Sequence, residues 1–89
     1  MKYIIQNNII MIDMGDELLL SIGDDKVVQL KGTSKTVFNT LSISQDIDDI
    51  ASAIRTEYLV EIEDSELKND INECIDMLVQ NGILVLDIQ

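Results

Sequence analysis

Few side chains in this chain could do covalent or acid–base chemistry. It has no His, the commonest general base and metal ligand near neutral pH. Its one Cys, Cys74, excludes an intrachain disulfide and a cysteine metal cluster. There is no Gly-rich phosphate loop. Carboxylates remain, and Asp24-Asp25 and Asp48-Asp49 supply adjacent pairs. Such acids are ordinary at a turn and at a helix start, where they bond local backbone and meet the positive end of the helix dipole. No carboxylate spacing resembles a calcium loop. These residues predict no catalytic group, no metal site and no cofactor, and they direct attention to binding.

Length and charge narrow the kind of binding. The 89 residues suit one domain with a modest core. Hydrophobic residues are 46% but aromatics only 3%, so that core is aliphatic. The net charge of −11 is unevenly placed. Residues 1–44 carry five acids against Lys2, Lys26, Lys31 and Lys35, a net of −1, while residues 45–89 carry 12 acids against Arg55 and Lys68, a net of −10. An anionic second half repels phosphate backbones, whose binding needs clustered Lys and Arg. The N-terminal apolar run breaks at Gln6-Asn7-Asn8, too early for a signal peptide. No stretch approaches the roughly 20 apolar residues of a membrane span. A cytoplasmic protein is expected.

Periodicity predicts the elements. Ile9-Ile10-Met11-Ile12, Glu17–Ile22 and Lys26–Leu30 read as strands, separated by Asp13-Met14-Gly15-Asp16 and Gly23-Asp24-Asp25 turns. Such short loops join antiparallel neighbours, so a meander over 9–30 is the simple arrangement. Leu18, Leu20 and Ile22 share one face by the two-residue period; Val28 and Leu30 share a face in the next strand, with Val27 and Gln29 on the opposite one. The third strand is then an edge, bare unless something pairs with it. Helical spacing follows from Thr33, with Gly32 or Thr33 as cap, then from Asp46, whose side chain is expected to accept from the Asp49 amide. Leu67, Ile71, Cys74, Ile75 and Leu78 mark a third helix that starts near Asp64 or Ser65 and ends at Asn81-Gly82. The expected fold is α+β in one domain, 1–89. An N-terminal segment covers 1–8, the three-stranded antiparallel β-meander 9–30 and three helices 33–81. A C-terminal extended tail or further strand covers 82–89.

The joints between these elements resemble the PqqD-like family, also called the RiPP recognition element. Its joint between third strand and first helix is typically Leu-Asn-Gly-Thr followed by an apolar-aromatic pair; here it reads Leu30-Lys31-Gly32-Thr33 with Val37-Phe38, Lys31 standing in place of Asn. The second helix matches at Asp46-Ile47-Asp48-Asp49-Ile50-Ala51 and Glu57-Tyr58. The end of the third matches at Leu78-Val79-Gln80-Asn81-Gly82-Ile83-Leu84. The resemblance covers roughly residues 9–86.

It implies a winged-helix-like fold and a stand-alone domain that binds the leader of a ribosomally made precursor peptide. The leader would add as a strand in the groove between third strand and third helix, a mode in which backbone bonds give register and side-chain pockets give specificity. The implied contacts are Lys26, Val27, Val28, Gln29 and Leu30 on the strand. Val27 and Gln29 are the better candidates, because Val28 and Leu30 point toward the core. On the third helix they are Asp70, Glu73, Cys74, Met77 and Asn81. The partners implied are the leader and a separate leader peptidase, as in lasso-peptide pathways, or a radical-SAM or other tailoring enzyme. The lasso-peptide B1 type is preferred by analogy to small discrete members. No nucleic acid or membrane partner is expected, and an edge strand could also pair with a second copy as a homodimer.

Three other readings use the same residues. A winged-helix DNA-binding module would present helix 65–81, which carries Glu66, Asp70, Glu73 and Asp76 against Lys68 alone. A protein–protein adaptor would use the same edge. An acidic carrier protein would be modified at Ser65, which follows Asp64 ahead of a helix, but Glu66 stands where Leu is usual. The ordinary reading of Ser65 is a helix cap.

Overall fold

The computed structural model describes residues 2–23, 26–58 and 61–87. The Asp24-Asp25 pair lies outside the described residues. In chain order the elements are β1 (Lys2–Ile5), β2 (Ile9–Asp13), β3 (Glu17–Ile22), β4 (Lys26–Lys31), α1 (Thr33–Leu41), α2 (Ile47–Tyr58), α3 (Asp64–Gln80) and β5 (Leu84–Asp87).

The meander forms as the alternation dictates. β2, β3 and β4 make an antiparallel sheet in that order, with Leu18 opposite Leu30 and Leu20 opposite Val28. Those residues share one face, and Leu18, Leu20 and Leu30 are buried against the helices. Phe38 of α1, Ile50 and Ile54 of α2, and Ile71 and Leu78 of α3 complete the core. It is aliphatic around one aromatic ring, as the composition requires.

Part of the N-terminal segment joins a second sheet. Its residues 2–5 are a strand that pairs antiparallel with β5, Tyr3 opposite Leu86 and Ile5 opposite Leu84. Tyr3 and Ile5 turn toward the core while Ile4 faces out. The Gln45 side chain accepts from the Tyr3 N–H at 2.7 Å and donates to the Tyr3 C=O, imitating a neighbouring strand on the free side of β1. The partner is some eighty residues away, so local periodicity could not reveal the pair.

Helix ends show both agreement and correction. α3 ends as Asn81-Gly82 predicts. The Gly82 N–H bonds the Val79 C=O and the Ile83 N–H bonds the Leu78 C=O, with Gly82 at φ 76°. At the start of α2, Asp46 Oδ1 accepts from the Asp48 amide at 2.9 Å, not from Asp49, whose amide turns to the Asp46 carbonyl. A short side chain at the cap reaches the second helical amide as readily as the third. Ser65 is not the cap of α3, since that position falls to Glu63 and Ser65 sits exposed in the first turn.

Candidate functional site

The open edge of β4 is one half of the site. The Met14 N–H bonds the Glu17 C=O at 2.9 Å, and antiparallel pairs alternate between bonded and non-bonded. With the registers of the sheet, β3 therefore turns Leu19 and Ser21 toward β2, and Leu18, Leu20 and Ile22 toward β4. On β4 the backbone groups of Lys26, Val28 and Leu30 are spent on β3. Those of Val27, Gln29 and Lys31 point to the open side, where no strand among the described residues pairs. Except for Lys26 at the solvent end, the side chains follow the same division. Leu30 is buried and Val28 half-buried, while Lys26, Val27 and Gln29 are exposed, Val27 at 63%. Gln29 Nε2 donates to Glu17 Oε2 across the outer face.

A slot of about 640 Å³ is the other half. Gly32 turns the chain out of β4 with φ 57° and ψ −128°, and Thr33, the first residue of α1, is already at the slot wall. Val37, Ile54, Ile62, Leu67 and Ile71 give it an apolar floor. Glu61, Glu63, Glu66, Asp70 and Cys74 complete the lining. Glu66, Asp70 and Cys74 recur every four residues, as do Glu63, Leu67 and Ile71, so two adjacent rows of α3 face the slot. Burial pushes the Cys74 thiol above its ordinary pKa, and a hydrogen bond with the Ser34 side chain acts the other way.

The residues expected on α3 divide between two places. Asp70 and Cys74 line the slot, while Glu73, Met77 and Asn81 do not. Met77 packs half-buried against the core. Asn81 Nδ2 donates to the Met77 C=O at 2.8 Å and so closes the helix. Glu73 is exposed and accepts weakly from Asn69 at 3.4 Å. No residue of β4 lines the slot, which opens where that strand ends. Sequence reasoning did not reach Thr33, Glu61, Glu63 or Glu66. The four-residue spacing of Glu66, Asp70 and Cys74 was a usable signal for the last of these.

The rim carboxylates stand without cations. Lys31 meets Glu17, Lys35 meets Asp13, and Lys68 lies between Asp48 at 2.8 Å and Asp64 at 3.0 Å. Arg55 donates to the Ile62 C=O at 2.9 Å and approaches Asp64 at 3.7 Å. Among the described residues no ion pair reaches Glu61, Glu63, Glu66 or Asp70, and no three potential metal ligands converge. No helix among these residues is long and apolar enough to cross a membrane.

Comparison with known proteins agrees with this architecture. No curated protein matches the sequence. A solved structure of TbiB1 in complex with the TbiA(beta) leader peptide superposes with a TM-score of 0.79 at 17% identity, covering 100% of each chain. At that identity the likeness is one of fold. The family model described as Coenzyme PQQ synthesis protein D (PqqD) matches residues 17–84, from the start of β3 to the start of β5. That span is well over half of the sequence, and the chain belongs to the PqqD family.

Proposed function

We propose that this chain binds the leader region of a ribosomally synthesised precursor peptide and presents it to a separate enzyme. The open edge of β4 carries the proposal. It offers the backbone groups of Val27, Gln29 and Lys31 in one row, and it ends at the mouth of an apolar slot. An extended peptide added there gains main-chain bonds along the strand and a pocket for a side chain beyond it. The family membership and the fold shared with leader-bound TbiB1 support the same reading.

The chain does no chemistry itself. Holding the leader raises the effective concentration of the rest of the precursor at a partner's active site. The partner is a leader peptidase or a radical-SAM or other tailoring enzyme, with a lasso-peptide system preferred, and the setting is the cytoplasm. The same backbone groups suit a second copy of the chain, so a homodimer through β4 would dissociate as leader is added.

The test is a titration of a labelled leader, taken from a short reading frame beside the gene, followed by fluorescence anisotropy. Saturable binding at micromolar affinity or tighter is expected. Val27→Pro removes an N–H that points to the open side, so the protein should stay folded and lose most of the binding. Val28→Pro removes a bond to β3 and should unfold the sheet instead. Full affinity in folded Val27→Pro would rule out strand addition at this edge.

A further inference from the structure

The slot combines an apolar floor with an anionic rim, and among the described residues no ion pair reaches that rim, although Glu66 in the first turn of α3 also meets the positive end of the helix dipole. Glu61, Glu63, Glu66 and Asp70 are all exposed at the slot mouth. Each nearby cation is held by a carboxylate outside the slot: Arg55 by Asp64, Lys68 by Asp48 and Asp64. Four like charges around one opening repel one another, more so when an occupant displaces the water between them. The carboxylates are also spread along the rim without converging as metal ligands do. A volume of about 640 Å³ is in the range that takes a side chain with part of its backbone.

We infer that the slot selects a peptide with an apolar side chain flanked within two positions by Lys or Arg. The apolar group enters between Val37, Ile54 and Ile71, and the cation meets Glu66 and Asp70 on the rim. Acidic peptides are rejected by the same charges, so the rim gives specificity by repulsion as well as attraction. The inference rests on the leader-binding reading and adds to it the chemical class of the leader.

Random short peptides displayed on phage and selected on three proteins test it. These are the wild type, Glu66→Gln/Asp70→Asn, and Asp16→Asn/Asp76→Asn as a control with the same change in net charge. Asp16 and Asp76 are exposed and away from the slot. Wild type and control are expected to enrich Lys or Arg beside an apolar residue, and the rim variant to lose that preference. In the best peptide, Lys→Gln should weaken binding to the wild type by about three- to tenfold and leave binding to the rim variant nearly unchanged. Enrichment of neutral or acidic peptides would overturn the inference, as would a basic preference that survives in the rim variant. Repeating the binding on Val27→Pro separates the two ideas. Peptides lost on Val27→Pro but indifferent to the rim variant overturn the charge selection and leave strand addition standing. Peptides that depend on the rim but ignore Val27→Pro overturn strand addition. Failure to select any peptide overturns both.

Discussion

Cys74 carries the single thiol of the chain, and its position in the slot wall makes it a reporter. Burial keeps it protonated beyond its ordinary range, and a protonated thiol is a poor nucleophile. Alkylation by iodoacetamide should therefore be slow at neutral pH, quicken as pH rises, and slow further when a peptide fills the slot. The time course by mass spectrometry, with and without saturating leader, reads all three; an unprotected thiol in the complex would take the peptide out of the slot. Asp13 offers a second test at this scale. Its Oδ1 accepts from Lys35 Nζ at 2.9 Å and from the Gly15 N–H at 2.9 Å. The Lys35 bond, then the Gly15 bond, hold its carboxyl below the usual value. A depressed carboxylate contributes stability above its unfolded pKa, and that contribution is lost as pH falls through the folded value. Asp13→Asn should thus lower the urea midpoint at about pH 6 and make little difference at about pH 2. The same gap at both pH values would show that the charge of Asp13 plays no part.

At the scale of elements, the joint between β4 and α1 decides whether edge and slot meet. Gly32 sits there with φ 57° and ψ −128°, a conformation that a side chain resists, and it serves as the cap residue of α1 without a side-chain bond. Apart from its own chain neighbours, a Cβ at Gly32 would meet no atom within 4 Å, so the cost of substitution comes from the local backbone conformation and not from packing. Gly32→Ala is expected to destabilise by about 1–3 kcal/mol in urea unfolding. It should also weaken leader binding, because any relief of strain rotates Thr33 and α1 against β4. An unchanged midpoint would mean that the joint relaxes freely.

Charge acts on the molecule as a whole. A net charge of −11 on 89 residues opposes the compact state, and most of it lies in residues 45–89. Raising NaCl from about 10 mM to about 0.5 M should screen that repulsion and raise Tm by a few degrees. A Tm that falls with salt would show that the specific ion pairs outweigh the repulsion. The same field would repel a nucleic-acid backbone. Glu66, Asp70, Glu73 and Asp76 are all exposed on α3, the helix that would have to enter a groove.

The α+β class, the meander, the helix stripes and the status of β4 as an edge were all legible in the order of residues. They depend on two-residue and helical periods and on short loops, which act between neighbours in the chain. The anionic second half was legible for a simpler reason, since charge can be counted. The pairing of β1 with β5 and the slot itself were not. Tyr3 meets Leu86, and Thr33 shares a wall with Glu63, Glu66 and Asp70, only after the helices have packed. The division of the α3 flank has the same origin. Asp70, Cys74, Met77 and Asn81 fall along one flank of the helix, yet only the first two face the slot. Which part of a helix row is covered and which stays open is set by how α3 lies against α1 and α2, and no local period records that placement.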